Sequence, residues 1–223
     1  MNTLISSLSP LSAIARFVAL VGAPVRRVAK TPAFLLALTC ICSLATAAPA
    51  PVVPLSDDPA CTAEDRKFMA RAYELAAAAS ARGNGAFGAL VVKDGQILME
   101  FSNDAKTSGD VTHHGETGLV ALTSRKLGIT SMKGCTFYTS TEPCIMCCGA
   151  INSSGVTRLV YGTTAIQVTR LRGRTLPMKP LQVREVFERA GRPDVTVCGP
   201  LMEAEGLAVH AAAFAKIDAA PKS

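Results

Sequence analysis

The chain has 223 residues, of which 49% are hydrophobic, and its formal net charge is +6. This length accommodates one ordinary domain with an extension, and residues 1–48 contain four basic residues and no acid. The remainder has 19 basic against 17 acidic groups, a net charge of +2, which argues against an extended nucleic-acid surface. Eight cysteines in a chain of this length do not indicate a dense disulfide framework.

The N-terminal segment has the parts of a secretory signal peptide. Basic residues precede an apolar run over residues 34–44, and an A-x-A cleavage motif follows at Ala45–Ala47. The run is too short for a good membrane span. We therefore predict a signal peptide over 1–48, an exported protein (periplasmic or secreted) and no stable membrane span after cleavage. The alternatives are a cytoplasmic protein whose translation start is placed too early, or a buried helix in this segment. The pair Arg26–Arg27 partly resembles a twin-arginine signal.

The segment that follows is rich in proline and aspartate and predicts a linker over 49–60, so that the folded domain covers 61–223. Thr62 and Asp65 have the spacing of a capping box, which predicts a helix from there to Ala81. Export would allow a disulfide between Cys61 and Cys198.

Strand and helix signals then alternate along the chain. Asp94-Gly95 is a hairpin turn signal between β-type runs at 87–92 and 96–102, and a loop over 103–112 follows. A hairpin followed by such alternation indicates an α/β fold with one mixed sheet and helices on its faces. The later predicted elements are a helix from His114 to about Gly128, a strand at 135–139, a helix from Pro143 to Gly155, a strand at 156–161, a helix at 181–190, a strand at 195–198 and a helix at 202–214.

Two motifs about thirty residues apart carry the chemistry: H-x-E at His114 and Glu116, and P-C-x-x-C with Cys144 and Cys147. Structural zinc sites are usually closed by four protein ligands, whereas one histidine and two cysteines leave a coordination position open for a catalytic water. Glu116 need not be a ligand and is then the group that moves the proton of that water.

The spacing has a physical reason. Pro143 suits the first position of a helix, which places Cys144 and Cys147 on one face of the first turns, where the helix dipole favours thiolates. Taken alone, C-x-x-C is also compatible with a redox pair. We expect Cys148, about 100° round the helix, to be a core residue, and we prefer His114 to His113 because only His114 has the H-x-E spacing.

These motifs, with FGALVVKDG at 87–95, D-x-T-x-H-x-E from Asp110 and YTSTEPCIMCCGAI at 138–151, resemble the cytidine/deoxycytidylate deaminase superfamily. The chain is most similar to the branch of guanine deaminases, tRNA adenosine deaminases and fungal cytosine deaminase. The resemblance covers about residues 84–162. It implies a three-layer α/β/α fold with a central mixed sheet of about five strands, a zinc cofactor and, commonly, a homodimer.

The resemblance also implies roles for particular residues. Glu116 takes the proton of the zinc-activated water, delivers it to a ring nitrogen and then protonates the departing ammonia. Asn103 hydrogen-bonds the base, the backbone N–H of Gly115 holds a ring carbonyl or nitrogen, and Phe87 is a candidate wall of the pocket, although an ordinary core position is an equal alternative.

Four functions are compatible with these features. The first is a metabolic deaminase of a free nucleobase or nucleoside, with guanine favoured by the lead-in Asp110 and Thr112. The second is a tRNA adenosine deaminase. The net charge of +2 after residue 48 and the export signal disfavour it. Six basic residues without an acid between Pro143 and Arg184 favour it, unless they form a solvated face. The others are an exported deaminase toxin and a non-catalytic structural zinc module.

Overall fold

The computed structural model describes residues 52–174 and 181–219. The predicted signal peptide at 1–48 lies outside the described residues. The strands are β1 (Gly88–Lys93), β2 (Gln96–Ser102), β3 (Thr136–Thr141), β4 (Arg158–Thr163) and β5 (Thr196–Cys198). The helices are α1 (Ala63–Ala81), α2 (Ala105–Ser108), α3 (Gly115–Leu127), α4 (Ile145–Ser154), α5 (Ala165–Leu171), α6 (Val183–Arg189) and α7 (Glu203–Ala219).

The five strands form one mixed sheet in the order β2-β1-β3-β4-β5. β1 pairs antiparallel with β2 and β3, whereas β3–β4 and β4–β5 are parallel. The antiparallel pair is the predicted hairpin, and the parallel pairs follow from the alternation of strands and helices, because a parallel partner needs a crossover connection. The predicted mixed five-strand sheet is confirmed.

Apolar residues cover both faces of the sheet, which gives the three-layer α/β/α arrangement. Leu90 and Val92 of β1 point to a core shared with α1, and Ala89 and Val91 point to the opposite core, which contains Leu119 of α3. This alternation is the period of two expected for a strand buried on both faces. Gly88 lets α1 approach β1 closely, since a Cβ there would lie 2.5 Å from the Ala72 carbonyl oxygen.

Most element boundaries follow from local signals. Thr62 and Asp65 form the predicted capping box of α1. α4 ends at Gly155, which has the left-handed conformation (φ +81°) that favours glycine at a helix end. The prediction for Pro143 was wrong: the helix begins at Ile145 and Cys144 is its N-cap. The predicted loop 103–112 contains the one-turn helix α2, and α5 was not predicted.

The described part of the predicted linker, 52–60, contains no helix or strand, yet it lies along the domain. Backbone N–H groups of Met202 and Gly199 donate to the carboxylates of Asp57 and Asp58 at 2.7 and 3.1 Å. A disulfide joins Cys61 to Cys198, with Cα atoms 5.5 Å apart and 137 residues of separation. Among the described residues, no helix is both long and apolar enough to cross a membrane.

Arg184 of α6 covers the outer edge of β5. Its guanidinium donates to the carbonyl oxygens of Val197 and Gly199 and pairs with the carboxylate of Asp58. The β5 edge of the sheet and the segment 52–60 are thereby held by the same side chain.

Candidate functional site

The cluster predicted from the two motifs is brought together where α3 and α4 begin. His114 is the N-cap of α3, and Cys144, which follows β3, is the N-cap of α4. Neither side chain caps its own helix by a hydrogen bond. Both instead face each other across the two helix N-termini, and Cys147 joins them from the first turn of α4.

The distances within the cluster are those of a metal site. His114 Nδ1 lies 3.8 Å from Cys144 Sγ and 3.6 Å from Cys147 Sγ, and the two sulfur atoms are 3.5 Å apart. A tetrahedral zinc with bonds of about 2.0–2.3 Å requires ligand atoms roughly 3.4–3.8 Å apart. One imidazole and two thiols are also a donor set that suits zinc. These three residues therefore fit a zinc ion.

The electrostatics of the two thiols differ. Hydrogen bonds with Cys147 and with His114 lower the pKa of Cys144 to about 4, and Cys144 is exposed. The pKa of the Cys147 thiol is raised, mainly by the hydrogen bond with Cys144 and secondly by burial of the thiol. Cys144 is thus the first thiol to ionise, and the hydrogen bond with Cys144 raises the pKa of His114.

Glu116 lies beside the cluster and is buried, with 4% of its surface exposed. Its Oε2 is 3.4 Å from Cys147 Sγ and its Oε1 is 3.1 Å from Thr139 Oγ1. Burial raises the pKa of this carboxyl, since the charged form loses its hydration. A buried carboxyl that contacts one of the three ligand atoms, Cys147 Sγ, but lies outside the ligand group is placed to hold and release a proton.

The residues predicted to contact the base lie on the same side of the molecule. The Asn103 backbone N–H donates to the Phe87 carbonyl at 2.9 Å, and the Phe87 ring is stacked with His114 at 6.5 Å between centroids. Asn103 is buried, and its Oδ1 accepts from the Ala105 N–H at 2.9 Å. Gly115 is the first residue of α3, where a backbone N–H has no intrahelical acceptor.

The two competing residues lie elsewhere. Cys148 is buried in the core between α4 and the sheet, and its Sγ donates to the Pro143 carbonyl at 3.6 Å. His113 turns to Asp104, with 3.0 Å between His113 Nδ1 and Asp104 Oδ1. Within the described chain, the metal-competent cluster contains neither of them.

Three supporting residues were not predicted. Glu142, directly before Pro143, accepts the backbone N–H groups that start α5 and α6, at 3.2 and 3.1 Å. Thr139 contacts Glu116 from β3. His210 of α7 is buried with Nε2 2.9 Å from Thr141 Oγ1, and its ring packs on Phe87 at 5.4 Å between centroids. Only Glu142, inside the T-E-P-C motif, had a local signal.

Three of the six basic residues after Pro143 form ion pairs within the domain. Arg158, Arg172 and Arg184 are each paired with a carboxylate, those of Asp65, Asp218 and Asp58 respectively. Lys179 lies outside the described residues.

Comparison with known proteins gives consistent matches. The family described as "Cytidine and deoxycytidylate deaminase zinc-binding region" matches residues 62–163. The probable cytosine deaminase of Schizosaccharomyces pombe is 32% identical over 152 residues, which cover 66% of this chain and 90% of that protein. Guanine deaminase of Bacillus subtilis is 44% identical over 85 residues, which cover 38% of this chain and 54% of that protein. The tRNA-specific adenosine deaminase of Agrobacterium fabrum is 34% identical over 100 residues, which cover 45% of this chain and 66% of that protein.

Solved structures agree on the fold. The protein NE0047 in complex with 2,6-diaminopurine has a TM-score of 0.59 and 25% identity, covering 69% of this chain and 83% of that one. Guanine deaminase from Nitrosomonas europaea has a TM-score of 0.58 and 23% identity, covering 75% and 90%.

Proposed function

This chain belongs to the cytidine and deoxycytidylate deaminase family of enzymes, and from that premise we propose that it is a zinc-dependent hydrolytic deaminase of a free nucleobase or nucleoside, with guanine favoured. The observation that carries the proposal is the buried carboxyl of Glu116 beside the atoms of His114, Cys144 and Cys147. Four groups with these positions supply both a metal site and a proton carrier.

Each residue has a role in this proposal. His114, Cys144 and Cys147 hold the zinc, which when bound supplies a Lewis acid that activates water near neutral pH. Glu116 takes a first proton from the water and passes it to a ring nitrogen of the base. It then takes the second proton, from the hydroxyl now on the ring carbon, and passes it to the amino group, which leaves as ammonia. Burial favours the neutral form of Glu116, so that the carboxyl can return a proton to the substrate.

Asn103, Phe87 and Gly115 are proposed to orient the base. The Phe87 ring stands parallel to His114 within 14°, which suits a planar ring lying against it. Asn103 Oδ1 already accepts the Ala105 N–H, so its amide NH₂ is the group left for a ring acceptor. The N–H of Gly115 lies at the positive end of α3, where an oxygen or nitrogen acceptor is favoured.

Guanine is the first choice for two reasons. The match to guanine deaminase of Bacillus subtilis has 44% identity over 85 residues. The sequence from Asp110 to Thr112 resembles that of guanine-deaminase-like proteins. The lead-in is ordered here, because Asp110 Oδ1 accepts from both the backbone N–H and the hydroxyl of Thr112. Cytosine is the immediate comparator, since the probable cytosine deaminase is matched over 90% of its length.

A tRNA adenosine deaminase is the second candidate. The match to the Agrobacterium fabrum enzyme of that name supports it, as does the exposure of Cys144, which leaves the cluster open on one side. The pairing of Arg158, Arg172 and Arg184 with carboxylates weighs against it, because paired guanidinium groups contribute less to phosphate binding.

Ammonia release from zinc-replete protein tests these alternatives. The panel is guanine, cytosine and adenine, their nucleosides, and tRNA. We expect release from guanine and none from tRNA. Release from tRNA alone would replace the first candidate by the second, and release from no member would remove the proposed activity.

We also propose that the protein is exported and works as a homodimer. The Cys61–Cys198 disulfide supports export, because such bonds persist in oxidising compartments. Ile145, beside the cluster, has 68% of its surface exposed, and a partner chain covering it would remove apolar area from water. N-terminal sequencing of exported protein, expected to begin near residue 48 or 49, and light scattering test the two proposals.

A further inference from the structure

The hydroxyl of Thr139 lies within hydrogen-bonding distance of two acceptors. It lies on the central strand β3, and 1% of its surface is exposed. Its Oγ1 is 3.1 Å from Oε1 of Glu116 and also 3.1 Å from the carbonyl oxygen of Thr141. A threonine hydroxyl has a single proton to donate, so it satisfies one of these two acceptors at a time.

The partners of Glu116 make the two oxygens of its carboxyl different. Oε1 faces Thr139, on the side of the sheet, whereas Oε2 faces the cluster, 3.4 Å from Cys147 Sγ. The oxygen that points to the reacting groups is therefore Oε2, and the only described side chain that holds the other oxygen by a hydrogen bond is that of Thr139.

We propose that Thr139 is a positioning residue, which holds Oε1 of Glu116 so that Oε2 stays directed at the cluster. This inference rests on the proposed deaminase function for its effect on rate. Thr139 itself is not one of the proposed metal ligands.

The Thr139 hydroxyl can serve either acceptor without moving a heavy atom, because Oε1 of Glu116 and the Thr141 carbonyl oxygen lie at the same distance. Of the two, only the contact with Oε1 acts on the carboxyl beside the cluster.

Two variants separate the hydroxyl from the methyl group. Thr139→Val keeps the volume and removes the hydrogen bond, and Thr139→Ser keeps the hydroxyl and removes a methyl. Thr123→Val is the matched control: Thr123 is fully buried in α3, the helix of Glu116, and its hydroxyl donates to the Leu119 carbonyl at 2.7 Å rather than to Glu116.

We expect Thr139→Val to lower kcat by about 10- to 100-fold, the usual effect of losing an orienting partner, with KM and zinc content within about twofold of the native protein. Thr139→Ser and Thr123→Val should stay within about threefold in kcat. Equal losses in the Val and Ser variants would assign the effect to packing and overturn the proposal, as would a rise in KM with kcat unchanged.

A crystallographic comparison of the zinc-loaded proteins needs no substrate. The Glu116 carboxyl should rotate away from the cluster in Thr139→Val and keep its orientation in Thr139→Ser. If the native protein is inactive on every substrate yet this rotation occurs, the positioning role stands and the proposed activity falls. If the native protein is active and the Val variant equals it in both rate and carboxyl orientation, the positioning role falls alone.

Discussion

His210 and Thr141 join the C-terminal helix to the end of the central strand, with 2.9 Å between His210 Nε2 and Thr141 Oγ1. Thr141 is three residues before the first cysteine of the cluster, and the His210 ring packs on Phe87. α7 therefore supports the proposed base-binding wall, although His210 lies 123 positions after Phe87 in the chain.

Burial lowers the pKa of His210 to about 4, so the folded protein keeps this imidazole neutral at pH values where the unfolded chain protonates it. The stability that follows is complete above about pH 6.5 and is lost as the pH falls towards 4. At pH 4.5 the loss is about 2–3 kcal/mol, since each pKa unit corresponds to about 1.4 kcal/mol. Denaturant unfolding of native protein and His210→Gln at pH 7 and 4.5 measures it. A pH dependence that is the same in both proteins would contradict the assignment.

Loss of one cluster ligand should remove the metal. We expect Cys147→Ala to lose bound zinc, because a buried thiolate is replaced by a methyl group and two ligands remain. Cys148→Ala is the matched control, a neighbouring buried cysteine outside the cluster, and should retain about one zinc per chain. Metal analysis of the purified proteins decides between them. Undiminished zinc content in Cys147→Ala would contradict the assignment of Cys147 as a metal ligand.

Glu116→Gln separates the proton carrier from the ligands. The amide keeps the shape of the side chain but cannot carry the proton, so we expect activity to fall by about a hundredfold or more, with zinc content close to native. Steady-state ammonia release and metal analysis on the same samples provide the measurement. Loss of zinc together with activity would instead make Glu116 a ligand.

Asn103→Ala tests the contact with the base. A hydrogen bond to a buried polar group of the substrate is worth roughly 1–3 kcal/mol, which corresponds to a kcat/KM lower by about 10- to 100-fold. Zinc content should not change. Because Oδ1 also accepts the Ala105 N–H, thermal unfolding is measured alongside to account for a loss of stability. Native kcat/KM in this variant would remove Asn103 from the substrate site.

The disulfide should contribute to stability through the unfolded chain. A bond that closes a separation of 137 residues restricts the unfolded ensemble strongly, and its removal costs typically about 2–5 kcal/mol. We expect the double variant Cys61→Ser/Cys198→Ser to unfold at lower denaturant concentration than native protein under non-reducing conditions. Under a reducing agent the two proteins should converge. Identical midpoints without the reductant would contradict this prediction.

Features with a local cause could be predicted from the sequence. The capping box at Thr62 and the hairpin turn at Asp94-Gly95 depend on residues two to four positions apart, and both are found where expected. The spacing of the two motifs was sufficient to bring His114 to Cys144 and Cys147, because each motif begins a helix at the same end of the sheet.

Features that depend on distant pairing could not be predicted. The contact of Thr139 with Glu116 joins residues 23 positions apart, and that of His210 with Thr141 joins residues 69 positions apart. Both arise only once the strand order and helix packing are known. α2 and α5, of four and seven residues, are too short to show a helical period. The position of Pro143 was wrongly predicted: it lies one residue before the N-cap Cys144, outside the helix, where no intrahelical hydrogen bond needs its missing N–H.

Arg184 has a consequence for how copies of this protein can meet. An outer strand with free carbonyl and N–H groups is a template on which a second chain can add a strand and continue the sheet. On β5 the carbonyl of Val197 is already taken by the guanidinium of Arg184, which Asp58 holds in place. Addition of a strand there would have to displace the Arg184 guanidinium from the Val197 carbonyl and from the Asp58 carboxylate. Arg184 thereby disfavours the addition of a strand at Val197.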